Sequence, residues 1–261
     1  MTTAGRLLTV NLGVERTGPW TSNGRSGIDK RPVPGPVMAR ATGLDGDLIV
    51  NTKAHGGVDK AVYAFAREDA GFWERELGRT VAPGNFGENF STVGVDVTHA
   101  EIGERWRIGG AVFEVIRPRK PCRVFAGFWD VPDLVKRFIA NGAPGAYLRV
   151  LTEGEVSPGD PVEVVKRPGH GVTVNLMLRA LTTEPELLPL MLRAPEMLPK
   201  IQDRARRRLA AQQEQEQRDQ QEQRDQQEQQ DQQEQRDLHE LRELREIQGR
   251  PHHHAHVGKE Q

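Results

Sequence analysis

Between residues 5 and 168 the apolar side chains come in short runs rich in Val, Ile and Leu, separated by Gly, Pro, Asn and Asp. Runs of this kind predict strands over 7–12, 37–41, 47–51, 61–65, 105–108, 111–117, 146–150 and 161–166. Gly43-Leu44-Asp45-Gly46, Ile108-Gly109-Gly110 and Ser157-Pro158-Gly159-Asp160 supply turns. Many short strands with frequent turns predict a mainly β protein, a closed or nearly closed barrel rather than a βαβ fold.

Two stretches in this region carry helical spacing. Residues 67–77 put Ala70, Trp73 and Leu77 on one face. Residues 132–140, with Val131, Leu134, Val135, Phe138 and Ile139, form an amphipathic stripe that Asn141-Gly142 ends. Both are expected to cover a barrel opening. Beyond Gly171 the period becomes helical throughout. Thr173 caps a predicted helix through Leu181, Thr183 caps a second through Leu192, and a third covers 199–210. So few short helices cannot bury a core of their own, so they are expected to pack on the barrel. The predicted organisation is a barrel domain over 1–170, a small helical subdomain over 171–210 and a low-complexity tail over 211–261.

In that tail a Gln/Glu/Arg/Asp unit recurs with Arg218, Arg224, Arg236 and Arg242 on multiples of six, which is not a heptad. A solvated or fluctuating helix acting as a spacer fits this composition, and so does an interaction segment. His252, His253, His254 and His256 follow, with nothing in the sequence to orient their imidazoles on a metal.

Composition changes the picture in three ways. Hydrophobic residues make up only 36% of the 261, so part of the chain lacks a core. Lys+Arg number 36 against Asp+Glu 37, so bulk charge gives no reason to expect nucleic acid or an anionic membrane as partner. The single cysteine excludes an internal disulfide, a multi-thiolate zinc site and a cysteine-ligated iron–sulfur cluster within the chain. Redox chemistry would therefore draw electrons from another molecule. The first ten residues lack the apolar segment of a secretory signal and no run spans a membrane, so a cytoplasmic protein is expected.

Three segments carry candidate chemistry. In Arg117-Pro118-Arg119-Lys120-Pro121-Cys122-Arg123, four cations flank the only thiol, favouring a thiolate suited to a soft metal. The same residues also fit a small buried cysteine beside surface cations. In Lys53-Ala54-His55-Gly56-Gly57-Val58-Asp59-Lys60, adjacent glycines and two lysines suit a phosphate oxygen, or a plain tight turn. In Gly84-Asn85-Phe86-Gly87-Glu88-Asn89, the amides and carboxylate match the edge of a heterocycle, or a polar loop. Together the three suit a phosphorylated heterocycle, if the fold brings them together.

These three motifs, with Ser26-Gly27-Ile28-Asp29-Lys30-Arg31-Pro32-Val33, Gly145-Ala146-Tyr147-Leu148-Arg149-Val150 and Gly154-Glu155-Val156-Ser157-Pro158-Gly159-Asp160, resemble a MOSC domain of the stand-alone YiiM type. The resemblance runs in order from about Gly5 to Lys166. It implies a β-barrel with a shallow basic groove, followed by a small helical domain. It also implies a molybdopterin-type molybdenum cofactor with Cys122 as metal ligand or sulfur carrier. The cofactor residues it implies are Lys53, His55, Gly56, Gly57, Asp59 and Lys60 at the phosphate, and Asn85, Phe86, Gly87, Glu88 and Asn89 at the pterin. Arg117, Arg119 and Lys120 would balance the charge. The activity implied is reduction of N-hydroxylated small molecules, such as hydroxylaminopurines and amidoximes, with an external reductase as partner. A non-catalytic carrier of cofactor or sulfur is the alternative. No aminotransferase-like domain accompanies the barrel, so pyridoxal phosphate is not supported.

Overall fold

The computed structural model describes residues 5–21, 24–52 and 55–248. Its strands are β1 (Gly5–Thr17), β2 (Arg25–Val33), β3 (Val37–Arg40), β4 (Gly43–Leu44), β5 (Val62–Ala66), β6 (Phe90–Val93), β7 (Arg105–Ile108), β8 (Ala111–Pro118), β9 (Ala146–Thr152), β10 (Gly154–Val156) and β11 (Pro161–Lys166). The α-helices are α1 (Arg67–Leu77), α2 (Arg123–Trp129), α3 (Leu134–Asn141), α4 (Val174–Thr182) and α5 (Pro199–Gln248). Short 3₁₀ helices occupy Val58–Lys60 and Pro185–Arg193.

The strands run β11-β7-β8-β9-β5-β6-β1, and β1 returns to β11 through Gly5 opposite Val162 and Arg6 opposite Pro161. The mainly β, closed barrel expected from the hydrophobic pattern is therefore what the chain forms. Its pairing is antiparallel except for β5 and β6, which run parallel and are joined through α1. β1 outlasts the barrel: from Val10 to Thr17 it also pairs with β2, which lies outside the closed ring. A smaller sheet, β10-β3-β4, stands beside it.

β5 separates two cores because its side chains alternate. Val62, Ala64 and Ala66 enter the barrel, while Tyr63 and Phe65 enter an aromatic cluster built with α1, α2 and α3. Phe86 is the hub of that cluster. It is fully buried and makes edge contacts with Phe65, Trp73, Phe125, Trp129 and Phe138 at centroid distances of 5.1–6.1 Å. The approach to β9 requires glycine at 145, where φ is +67° and a Cβ would stand 2.5 Å from the Ala64 carbonyl oxygen.

Several elements differ from the sequence expectation. Residues 47–51 form no strand. The Asp47 carboxylate bonds Gly13 N at 2.7 Å and the Lys30 ammonium, and the Leu48 carbonyl lies against the bare Cα of Gly27, so side-chain bonds replace a ladder. β2, β6, β10 and α2 were not anticipated. Thr173 caps α4 as expected, accepting from Leu176 N at 3.2 Å. Thr183 instead closes α4 by donating its N–H to Arg179 O, and the next element, Pro185–Arg193, is 3₁₀, with Pro189 inside it lacking a backbone donor. Buried residues from Val172 to Ala205 share one apolar core with the barrel.

The chain divides into two units, Met1–Arg208 and Leu209–Gln261. The third predicted helix and the low-complexity segment are one helix, α5. Side chains over 213–233 are all exposed, with i,i+4 hydrogen bonds from Gln215 to Asp219 and Gln221 to Asp225. Among the described residues, no helix is long and apolar enough to cross a membrane. Lys53 and the histidines at 252–254 and 256 lie outside the described residues.

Candidate functional site

Where β2, the irregular segment 47–51, the 3₁₀ turn and the loop after β8 meet, a cavity of about 270 Å³ opens. Cys122 is on its wall, half-buried and unpaired. β8 ends at Pro118, and Arg119 N donates to Gly145 O at 3.3 Å, tying the loop to the approach of β9. Cys122 then stands extended (φ −140°, ψ 171°) before α2, its carbonyl accepting from Ala126 N at 3.2 Å. Backbone bonds and two buried prolines, Pro118 and Pro121, hold the thiol at a fixed place.

Arg119 is the unusual residue. Its side chain is 5% exposed, with the guanidinium carbon 4.2 Å from the Phe125 ring centroid, 5.6 Å from Tyr63 and 5.7 Å from Phe138. Among the described residues it has no carboxylate partner, and its buried Nη1 makes no hydrogen bond. Aromatic faces recover part of the cost of burying this charge. An unpaired buried donor still costs about 1–3 kcal/mol, which a bound anion would recover.

The neighbouring groups agree. The His55 ring keeps solvent contact on one side, but loss of water on the other and the charges of Arg119, Lys60 and Lys30 push its pKa down to about 4. It is a neutral imidazole at pH 7, with Nδ1 3.4 Å from the Tyr147 hydroxyl. Lys60 is pushed down by burial and by Arg117, against the pull of Asp59. Burial holds the Tyr63 and Tyr147 phenols protonated. Asp47, the carboxylate on the wall, is spent on Lys30. The cavity therefore has more positive charge than its own residues neutralise.

Of the residues singled out from sequence, His55, Gly56, Lys60, Gly87, Asn89, Arg119, Cys122 and Arg123 line this cavity. Gly57 is beside it at φ +77°, opening the 3₁₀ turn. The others are placed elsewhere. Asp59 pairs with Arg149 at 2.5 Å. Phe86 is the core hub. Asn85 Oδ1 accepts from Ala82 N, and its carbonyl accepts from Trp129 Nε1. Glu88 is buried and spends its oxygens on Gly84 N, Phe86 N and Ser91 Oγ, so it braces its own loop rather than facing a ligand. Arg117 is half-buried and Lys120 exposed, both off the cavity wall. Asn89 faces the cavity but is bonded to Tyr63 N, Asn11 O and Asp47 Oδ2.

Sequence reasoning assigned no site role to Arg25, Lys30, Asp47, Tyr63 or Tyr147, which also line the wall. A lysine–aspartate pair 17 residues apart has no local signature.

The residues present fit an anionic cofactor that brings its own metal. There is one soft sulfur donor, a buried guanidinium with an unsatisfied Nη1 and further cations around it. Among the described residues no group of three or more His, Cys, Asp or Glu could hold a metal ion by itself. A metal at Cys122 would need its remaining ligands from a bound molecule.

The fold and site define a class: a closed barrel that presents one thiol in a cation-rich cavity. The sequence model of the MOSC domain matches residues 51–163. The chain is 36% identical over 174 residues to the uncharacterized protein YflK of Bacillus subtilis (strain 168), covering 66% of this chain and 79% of that one. It is 32% identical over 170 residues to a protein named reductase from Gibberella moniliformis, covering 63% of this chain and 30% of that one. The crystal structure of YiiM from Geobacillus stearothermophilus superposes with a TM-score of 0.65 at 28% identity, covering 78% of this chain and 99% of that one. The chain belongs to the MOSC domain family, and its site is consistent with a function associated with the molybdenum cofactor.

Proposed function

We propose that this protein binds a molybdopterin-type cofactor in the Cys122 cavity and reduces the N–O bond of small N-hydroxylated compounds with electrons from an external reductase. The observation that carries the reading is that the single free thiol and the buried Arg119, whose Nη1 makes no hydrogen bond, line the same cavity. The name of the Gibberella moniliformis relative adds support for reductive chemistry.

Cys122 would ligate the metal through its thiolate. Arg119 and Lys60 would hold the anionic end of the cofactor, with His55 donating a hydrogen bond from its neutral ring and Gly56 allowing close backbone approach. The bound cofactor would supply a metal centre able to exchange two electrons and take an oxygen. The half-exposed run Leu48-Ile49-Val50 gives the substrate body an apolar wall that excludes water. Asp59, Glu88, Asn85 and Phe86 would act at a distance by holding these loops in place.

The test is multiple-turnover reduction of benzamidoxime by cofactor-loaded protein with an electron-donating reductase. Wild type is expected to turn over repeatedly and Cys122→Ala to lose at least about a hundredfold, the scale of removing an essential reaction-centre contact. Cofactor transfer to another apoenzyme without any reduction would instead support a carrier.

A further inference from the structure

Lys30 lies on β2 among the residues that line the cavity, with its side chain 9% exposed. Its Nζ bonds both oxygens of Asp47, at 2.5 and 2.6 Å. That carboxylate is itself fixed by Gly13 N at 2.7 Å and Asn89 Nδ2 at 2.9 Å, and is 3% exposed. Asp47 is thereby tied to β1, β2 and the loop before β6 at once. The backbone at Lys30 is equally constrained. Gly84 packs so closely that a Cβ there would meet the Lys30 carbonyl oxygen at 2.1 Å, at a φ of +85°. An ammonium has three N–H donors. Among the described residues Lys30 uses two on Asp47, which leaves a third outside that pair.

A lysine placed only to staple segment 47–51 would not need to stand on a cavity wall. We propose that Lys30, clamped by Asp47, donates a proton to the substrate's hydroxyl oxygen as the N–O bond breaks, and is a catalytic residue additional to Cys122. The assignment rests on the N–O reductase reading and deepens it. The overall change is R–NH–OH + 2 e⁻ + 2 H⁺ → R–NH₂ + H₂O, with the electrons supplied by the external flavin or iron–sulfur reductase. The N–O bond breaks, the oxygen takes one proton from Lys30 on its way to water, and the nitrogen takes the other from solvent. The neutral amine is then reprotonated through the open mouth of the cavity. Burial makes the Lys30 ammonium easier to deprotonate than a free lysine, even though Asp47 and, more weakly, Glu88 hold its charge. His55 faces the same space and is neutral at pH 7, so it adds no repelling charge there.

The experiment compares wild type, Lys30→Met and Lys30→Arg by metal and pterin content, by lysine side-chain NMR titration without substrate, and by benzamidoxime reduction across pH. In wild type, a lysine signal absent from both variants should titrate below the ordinary lysine value. Both variants should keep molybdenum and pterin. Lys30→Met should lose about a hundredfold in kcat with KM changed less than threefold. Lys30→Arg, which keeps the charge and a bond to Asp47 but cannot release its proton, should stay as slow. An active wild type with Lys30→Met within threefold overturns the Lys30 assignment alone. So does a Lys30 that titrates at or above the free value, and so does loss of metal in both variants, which would make the lysine a staple. A wild type that holds molybdenum and pterin yet reduces no N-hydroxylated compound overturns the assignment and the reductase reading together.

Discussion

At residue scale the cavity's surplus of positive charge has a direct consequence for His55. Its ring faces Arg119, Lys60 and Lys30 across partly dehydrated space, and its pKa is held at about 4. An imidazole with a depressed pKa resists protonation in the folded state. Its contribution to stability is full above the ordinary histidine value near 6.5 and declines as pH falls towards 4. An anion in the cavity works the other way, since negative charge favours imidazolium. We expect NMR titration to give a His55 midpoint well below the ordinary value, and inorganic phosphate to move it upward. An ordinary midpoint indifferent to phosphate would contradict the charge account. Cys122, His55, Lys60 and Arg119 were visible in sequence as a thiol and cations near glycines and prolines. Lys30 and Tyr147 stood in the family motifs but had no site role, because their place on the wall depends on β1–β2 and β8–β9 registers that no local pattern encodes. Glu88 and Asn85 looked like ligand readers for a related reason: a polar loop that satisfies its own backbone has the composition of one that binds.

The elements that hold the site were legible to different degrees. In β5, Ala and Val alternate with Tyr and Phe, and that alternation turned out to divide two cores rather than core from solvent. β8, β9 and β11 were plain in the sequence as short apolar runs bounded by turn residues. α2 was hidden, because Arg123–Trp129 is only 7 residues long and its apolar positions follow no single face. It matters because it carries Phe125 beneath Arg119 and starts at Cys122. The loop 84–89 is anchored to α2 and α3 by Phe86, so that one ring joins the loop before β6 to the helices behind the thiol. Truncating it leaves a cavity among five aromatic neighbours. Phe86→Ala should cost about 3–5 kcal/mol of unfolding free energy in a urea titration. A loss under about 1 kcal/mol would mean that the aromatic cluster is not the site's foundation.

At the scale of the whole molecule, barrel closure through β1 and β11 and the shared core with α4 and the start of α5 make Met1–Arg208 one compact unit. The helical period after Gly171 was legible, and Val172, Met177 and Leu188 of that region fill the same core as the barrel strands. Over 213–233 the low-complexity segment reveals only its solvation, because without an apolar stripe there the helix carries no record of a partner. Every cavity residue lies within Met1–Arg208. The central claim is that this unit holds a metal-bearing cofactor through Cys122. The most direct measurement is molybdenum and released pterin per chain, by elemental analysis and fluorescence, on protein made in a cofactor-competent host. We predict near one of each for the full chain and for a chain ending at Arg208, with molybdenum lost in Cys122→Ala. Folded wild type without either, or Cys122→Ala with undiminished molybdenum, would contradict the claim.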